Sequence, residues 1–333
     1  MNILFIGAGY MGLERLKSLY ALRNQHKIKN IFFYDPNVTD FRFKNFTSEK
    51  LEKFNKNILK LKKIDLCIIS TPHNLLKKFS LTCLRSRYPI NLILEKPFGM
   101  SYKQSEEINK NINYNQKVFV ALNYRFFNGI KKMLNDIKNK KFGKLYSVEI
   151  NFGHGHNPEV LNSWKLKKKY AGGGVILDPG IHVINLIQLM TKNKLKIKHV
   201  FKKNNYWKTN VEDSALLVFS TKDIPLITIN LSTTKWRSTF EINGNGSDGY
   251  WRLSGRGRSY GPQEYIVGKR WGWLNGKKQK DTEKIVSFSE EKNVFQNELN
   301  EIITAIKKNN FKHICGHEEG LSTMKLIHKI YAF

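Results

Sequence analysis

In the first third of the chain, short apolar runs alternate with segments whose apolar positions recur at helical spacing. Ile3-Leu4-Phe5-Ile6 has no polar position. It reads as a strand buried on both faces, as at the centre of a parallel sheet. Residues 13–22 follow at helical spacing. The rhythm returns at 29–34, at 65–69 with a helix over 75–84, at 91–94 and at 117–121. The stretch 41–63 is weakly patterned and fits a short strand and a helix. Ser101 is placed to cap the helix after 91–94, with Gln104 completing a capping box. Strands alternating with helices predict a doubly wound α/β domain over residues 1–122.

The pattern then changes. Residues 127–139 fit a helix, 145–152 alternate as a half-buried strand does, and 175–190 read as an apolar helix. Strand-like stretches follow at 195–201, 213–220, 225–233, 238–243 and 249–254, before helices at 293–308 and 318–331. Clustered strands with turn residues between them predict a second domain, 123–333, built on an antiparallel sheet with one covered face. The open face of such a sheet calls for a partner.

The first turn carries candidate chemistry. Gly7-Ala8-Gly9-Tyr10-Met11-Gly12 is a G-x-G-x-x-G between a strand and a helix. Gly7 permits the tight turn, Gly9 lets backbone approach a pyrophosphate, and Gly12 lets helix and strand pack closely. The pyrophosphate would sit at the helix N-terminus, against Tyr10 and Met11. Asp35 ends the second strand about 20 residues on, where a carboxylate accepts from ribose hydroxyls and repels a 2′-phosphate. NAD is therefore expected over NADP, with Arg42 and Lys44 downstream able to soften the preference. Ser70-Thr71-Pro72-His73 and Glu95-Lys96-Pro97 end later strands, the edge where ligands bind such sheets.

Charge adds one qualification. The 333 residues hold 57 Lys and Arg against 27 Asp and Glu, a formal net charge of +30. The lysines are scattered in pairs and triplets, such as Lys62-Lys63, Lys77-Lys78, Lys131-Lys132, Lys167-Lys168-Lys169 and Lys277-Lys278. Composition spread over solvated faces accounts for this better than a specific nucleic-acid partner, and an anionic substrate would be attracted. No apolar run approaches the ~18 residues of a membrane span. No basic leader precedes the first strand, so a cytoplasmic protein is expected. Cys67, Cys83 and Cys315 form neither a disulfide framework nor a zinc pattern. His154 and His156 read as loop histidines with no completed ligand set, so no metal is expected. Gly255-Arg256-Gly257-Arg258-Ser259-Tyr260-Gly261-Pro262 reads as a hairpin or loop rather than an RNA-binding segment.

Glu95-Lys96-Pro97, with the glycine turn, Ser70-Thr71-Pro72-His73 and Gly172-Gly173-Gly174-Val175-Ile176-Leu177-Asp178-Pro179-Gly180-Ile181-His182, resembles the glucose–fructose oxidoreductase / inositol dehydrogenase (Gfo/Idh/MocA) family. The resemblance spans essentially the whole chain. It implies an N-terminal Rossmann domain and a C-terminal α/β domain with a large, mainly antiparallel open sheet. It implies hydride transfer between NAD(P) and a sugar or cyclitol alcohol or ketone. Lys96 would lie beside the reacting carbon and stabilise alkoxide. Asp178 and His182 would line the substrate pocket, with His182 as general acid/base. On a helix those two, four residues apart, would share one face.

Tyr124 and Arg125 look like the family's interdomain segment near the cofactor. Trp164 and Lys165 are placed to reach nicotinamide or substrate. Asn185 stands where the family usually has an acid, and an amide can hold a hydroxyl but cannot act as a base. Leu75, Leu76 and Lys77 stand where a second histidine is common. The Tyr260-Gly261-Pro262 loop resembles that of members devoted to surface-polysaccharide sugars. The expected substrate is accordingly a sugar or nucleotide-linked sugar, with a homodimer or homotetramer formed through the sheet. A catalytically silent cofactor-binding regulator or scaffold of the same fold is the competing reading. A bilin or dihydrodiol substrate within the family is another.

Overall fold

Ile3, Leu4, Phe5 and Ile6 have no exposed surface because their strand, β1 (Asn2–Ile6), is central in a sheet covered on both faces. A computed structural model describes residues 1–86, 88–270, 283–288, 294–311 and 313–333. The Lys277-Lys278 pair and Asn293, the expected start of a helix, lie outside the described residues.

The first unit alternates strand and helix: β1, α1 (Tyr10–His26), β2 (Asn30–Tyr34), β3 (Glu49–Lys50), α2 (Lys56–Leu61), β4 (Leu66–Ile69), α3 (His73–Leu84), β5 (Asn91–Leu94), α4 (Tyr102–Lys110) and β6 (Val118–Val120). Its strands pair in parallel in the order β3-β2-β1-β4-β5-β6. That order reverses direction beside β1, where doubly wound sheets open a crevice at the strands' C-terminal ends. Ser101 Oγ accepts from the Gln104 amide at 3.4 Å and starts α4. The Gln104 side chain reaches back to the Met100 amide, at 3.1 Å, one residue earlier than a capping box requires.

The second unit holds α5 (Asn128–Lys138), β7 (Leu145–Gly155), α6 (Lys168–Ala171) leading into the glycine triplet, α7 (Ile181–Met190), β8 (Lys196–Lys203), β9 (Ser214–Ser220), β10 (Leu226–Ser232), β11 (Thr234–Gly246), β12 (Gly249–Ser254), β13 (Gln263–Lys269) and β14 (Glu283–Phe288). Within that span Lys169–Gly172, which includes the rest of α6 after Lys168, belongs to the first unit instead. The eight strands order as β14-β13-β12-β11-β7-β10-β9-β8, antiparallel except for the β7–β10 pair. Alternation is clean: Ala215, Leu217 and Phe219 of β9 are buried, while Leu216 faces out.

Two strands go beyond the sequence expectation, β13 and β14. In β13 the first inward position is Gln263, which hides the apolar alternation. It is buried because its Oε1 accepts from the Gly129 amide at 2.6 Å and its Nε2 donates to the Gly255 carbonyl at 3.3 Å.

The chain ends in α8 (Val294–Lys308) and α9 (His317–Ala332). The first unit comprises Met1–Asn123, Lys169–Gly172 and Asn293–His328; the second comprises Tyr124–Lys168, Gly173–Lys292 and Lys329–Phe333. The chain thus passes back into the first unit where a single cut after residue 122 was expected. The reason lies in α8: Glu298 pairs with Arg15 of α1 inside the first unit's core. Cys67, Cys83 and Cys315 are free and buried. Among the described residues no helix is long and apolar enough to cross a membrane.

Candidate functional site

In the first unit the glycine turn follows β1. Gly7 adopts φ +92°, its amide donates to the Tyr34 carbonyl at 3.0 Å, and an added Cβ would lie 2.7 Å from the Ser70 carbonyl oxygen. A Cβ on Gly12 would lie 2.5 Å from the Gly7 carbonyl oxygen. Gly9 differs: a Cβ there would meet nothing within 4 Å, so its requirement for glycine is not internal packing. Gly9 is also the N-cap of α1, with no side-chain cap and no acid in the first turn. Gly9 thus opens a helix end, where the first backbone amides fall outside the i→i−4 ladder.

Asp35 is fixed beside this turn. Its Oδ2 accepts from the Ala8 amide at 2.8 Å and its Oδ1 from the Asn37 amide at 2.9 Å. The cations downstream are engaged elsewhere: Arg42 pairs with Asp40 at 2.8 Å, and the Lys44 ammonium lies 5.5 Å from the Tyr20 ring centroid. At the end of β4, Ser70 Oγ and Thr71 Oγ1 are shielded from solvent without a hydrogen-bond partner among the described residues. Pro72 is the N-cap of α3, and His73 Nδ1 donates to the Ala171 carbonyl at 2.8 Å.

Glu95 follows β5 and accepts from Arg15 Nε at 2.9 Å; Arg15 also binds Glu298. Lys96 comes next, half-buried, joined to Pro97 by a cis peptide. These residues fit a dinucleotide: an open glycine at a helix N-terminus, a carboxylate held at the adjacent strand end, and two shielded hydroxyls without partners among the described residues.

In the second unit Asp178 and His182 do not share a helix. Helix α7 begins at Ile181, later than the expected residue 175, with Gly180 as N-cap. Pro179 is the reason, since the residue before a proline is disfavoured in the α region. Asp178 lies in the preceding turn, joined to Pro179 by a cis peptide, and its Oδ2 pairs with Lys165 Nζ at 3.2 Å. Trp164 and Lys165 lie on a short 3-10 turn, Trp164–Leu166. His182 sits in the first turn of α7, 6% exposed, its ring stacked on Tyr124 at 4.0 Å between centroids and 9° between planes. Arg125 donates to Asn185 Oδ1 at 2.7 Å, both buried.

Four contributors were not recognised from sequence. Glu212 holds the glycine triplet: its Oε1 accepts from the Gly174 and Ile176 amides, each at 3.0 Å, and from the Tyr331 hydroxyl at 2.7 Å. Burial and this carboxylate push the Tyr331 phenol up. His154 lies in strand β7 rather than in a loop, and its Nδ1 is 2.8 Å from the Tyr260 hydroxyl. Burial, with His156 and Arg256 nearby, pushes the His154 imidazole down to about 4. Burial also lowers His156. Arg256 and Tyr260 sit in the glycine-rich loop between β12 and β13, and the Arg256 guanidinium lies 3.9 Å from the Tyr260 ring centroid. From sequence the glycines of that loop marked a turn and Tyr260-Gly261-Pro262 carried a family resemblance, but neither gave Arg256 or the Tyr260 hydroxyl a partner. Among the described residues no group of three or more His, Cys, Asp or Glu is placed to hold a metal ion.

Residues 1–124 match the model of the oxidoreductase family, NAD-binding Rossmann fold, and residues 130–252 match that of the GFO/IDH/MocA C-terminal domain. Solved structures agree in fold. A levoglucosan dehydrogenase in complex with NADH and levoglucosan aligns with TM-score 0.83 and 15% identity, over 100% of this chain and 96% of its own. An oxidoreductase domain protein from Kribbella flavida aligns with TM-score 0.81 and 15% identity, over 99% and 96%. The WlbA dehydrogenase from Bordetella pertussis, in complex with NADH and UDP-GlcNAcA, aligns with TM-score 0.77 and 14% identity, over 99% and 95%. No curated protein sequence matches the chain.

Proposed function

The chain belongs to the Gfo/Idh/MocA family of NAD-binding oxidoreductases, and from that premise we propose that it interconverts a hydroxyl and a ketone on a sugar or nucleotide-linked sugar. The nicotinamide, when bound, takes up or supplies the hydride. Gly9 and the N-terminus of α1 would hold the pyrophosphate, because amides and helix dipole there favour an anion. Asp35, held by the Ala8 and Asn37 amides, receives the ribose hydroxyls and repels a 2′-phosphate, so NAD is preferred to NADP. The shielded hydroxyls of Ser70 and Thr71 gain hydrogen-bond partners when the dinucleotide occupies the strand ends.

The residues' roles follow from chemistry. Moving a hydride from an alcohol carbon requires the hydroxyl proton to leave. His182 takes it as general base and returns it in the reverse direction. Its imidazole is held flat against Tyr124, which fixes the direction of its ring nitrogens. Lys96 places a positive charge for the developing alkoxide. Asp178, paired with Lys165, hydrogen-bonds a neighbouring sugar hydroxyl. The observation that carries this reading is the buried, ring-stacked His182 in a chain that keeps the first unit's dinucleotide turn.

Self-association uses the outer face of the eight-stranded sheet, where Phe201, Leu216, Leu226 and Ile285 are exposed. Nicotinamide absorbance over a panel of sugars and nucleotide sugars, with NAD⁺ or NADH, tests the activity. Turnover of a member supports it. NADH binding without turnover across the panel returns the silent-scaffold reading.

A further inference from the structure

The loop between β12 and β13 presents a guanidinium that forms no ion pair among the described residues. Arg256 stands between Gly255 and Gly257, at φ 73° and 81°. The loop is tied down at both points. The Gly255 amide donates to the Phe240 carbonyl at 2.9 Å and the Gly257 amide to the Gly261 carbonyl at 2.7 Å. Arg256 is therefore held in place, in contrast to an arginine on a free loop.

Its surroundings are aromatic. The guanidinium carbon is 3.9 Å from the Tyr260 ring centroid, 5.2 Å from that of Tyr124 and 5.7 Å from that of Phe152. Tyr260 is itself fixed through its hydroxyl, 2.8 Å from His154 Nδ1. No ion pair among the described residues includes Arg256, and its shielded Nε has no hydrogen-bond partner among them. The carboxylate in this neighbourhood, Asp178, is paired with Lys165 at 3.2 Å. Ring contacts satisfy the flat faces of a guanidinium by cation–π attraction, but they leave its N–H edge. That edge is a planar fork matching a carboxylate or phosphate.

The position suits substrate. Tyr124 is shared: Arg256 lies over its ring, and His182 stacks on it at 4.0 Å. A group held by Arg256 is therefore close to the imidazole that handles the hydroxyl proton. We propose that Arg256 determines specificity by receiving an anionic group on the sugar substrate, a carboxylate or a phosphate. This rests on the sugar reading above and narrows it to acidic or phosphorylated sugars.

Calorimetric titration of the NADH-bound protein with glucuronate, glucose 1-phosphate and glucose tests it, in wild type, Arg256→Met and Arg256→Lys. At least one anionic probe should bind about tenfold or more tightly than glucose, as expected for a hydrogen bond to a charged group. Arg256→Met should abolish that advantage while leaving glucose and NADH affinities unchanged. Arg256→Lys keeps the charge but not the fork, and should lose several-fold; it also serves if the methionine variant does not fold. Loss confined to glucuronate assigns a carboxylate, and loss confined to glucose 1-phosphate assigns a phosphate. Equal affinities for anionic and neutral probes, or anion binding that ignores the substitutions, would overturn the proposal. Hydride transfer is judged separately: turnover with Arg256-independent binding sinks this inference alone, and Arg256-dependent binding without turnover sinks the activity alone.

Discussion

Arg15→Met tests how the first unit is held together. Arg15 has no exposed surface, and Glu95 and Glu298 are 7% and 1% exposed. Its Nε donates to Glu95 at 2.9 Å and its Nη1 to Glu298 at 2.5 Å, with the guanidinium carbon 5.2 Å from the Phe295 ring centroid. Desolvation opposes the charge, yet the two carboxylates hold the guanidinium pKa above its ordinary value. Methionine replaces most of the side-chain stem, so the main loss is the cation that pairs two buried carboxylates. Removing one partner of a buried pair costs about 3–5 kcal/mol. For a unit of this size that lowers the unfolding temperature by roughly 10 °C.

The pH dependence identifies the cause. Without Arg15, burial should raise the carboxyl pKa values in the folded variant above their unfolded values. The folded state then binds the extra protons, so stability falls as pH rises. Denaturant unfolding at about pH 8 and about pH 5 should show the deficit shrinking in acid. Adding Glu298→Gln should recover part of it by removing one buried anion. A variant within about 1 kcal/mol of wild type at the higher pH, or a deficit independent of pH, would refute the argument.

The glycine turn separates packing from binding. Gly12→Ala should destabilise the protein, because its Cβ would lie 2.5 Å from backbone, whereas Gly9→Ala, with nothing within 4 Å, should unfold like wild type yet bind NADH at least about tenfold more weakly. Equal NADH affinity in Gly9→Ala would remove the pyrophosphate from that position. Asp35→Ala should raise relative affinity for NADPH over NADH, and an unchanged ratio would end the ribose assignment. The His154 imidazole is pushed down to about 4 from 6.5. The unfolded chain therefore takes its proton first, and stability is lost as pH falls through that interval, by up to about 3 kcal/mol. His154→Gln, which still offers Tyr260 a hydrogen bond, should flatten the acid limb of a stability–pH profile, and an unaltered limb would contradict this.

Local pattern made the first sheet readable. Strands such as β1 and β4 are buried on both faces, so their residues form uninterrupted apolar runs bounded by glycine or proline. The alternating strands of the second sheet were readable for the complementary reason, one face being wet. Reading failed where a single polar residue satisfied by tertiary contacts broke the pattern, as Gln263 does in β13. It failed again at 175–180, where apolar periodicity outweighed the signal of Pro179 and placed Asp178 on a helix it precedes. Motif residues carry their identity in the chain, so Lys96, Asp178 and His182 could be singled out. Glu212, which organises the glycine triplet, and Arg256, presented on aromatic rings, have no local signature. Their meaning depends on partners distant in sequence. The Arg15–Glu298 pair is the extreme case, 283 residues apart.

The proposed activity is direct hydride transfer between nicotinamide and a sugar carbon. NADH carrying deuterium at the transferring C4 position, incubated with a panel of keto-sugars and nucleotide-linked keto-sugars, tests it by mass spectrometry of the products. One deuterium bound to carbon in a reduced sugar is expected, formed about 10²–10⁴-fold more slowly by His182→Ala while NADH affinity is kept. A protein that binds NADH but transfers no deuterium to any sugar, or a His182→Ala variant as fast as wild type, would contradict it.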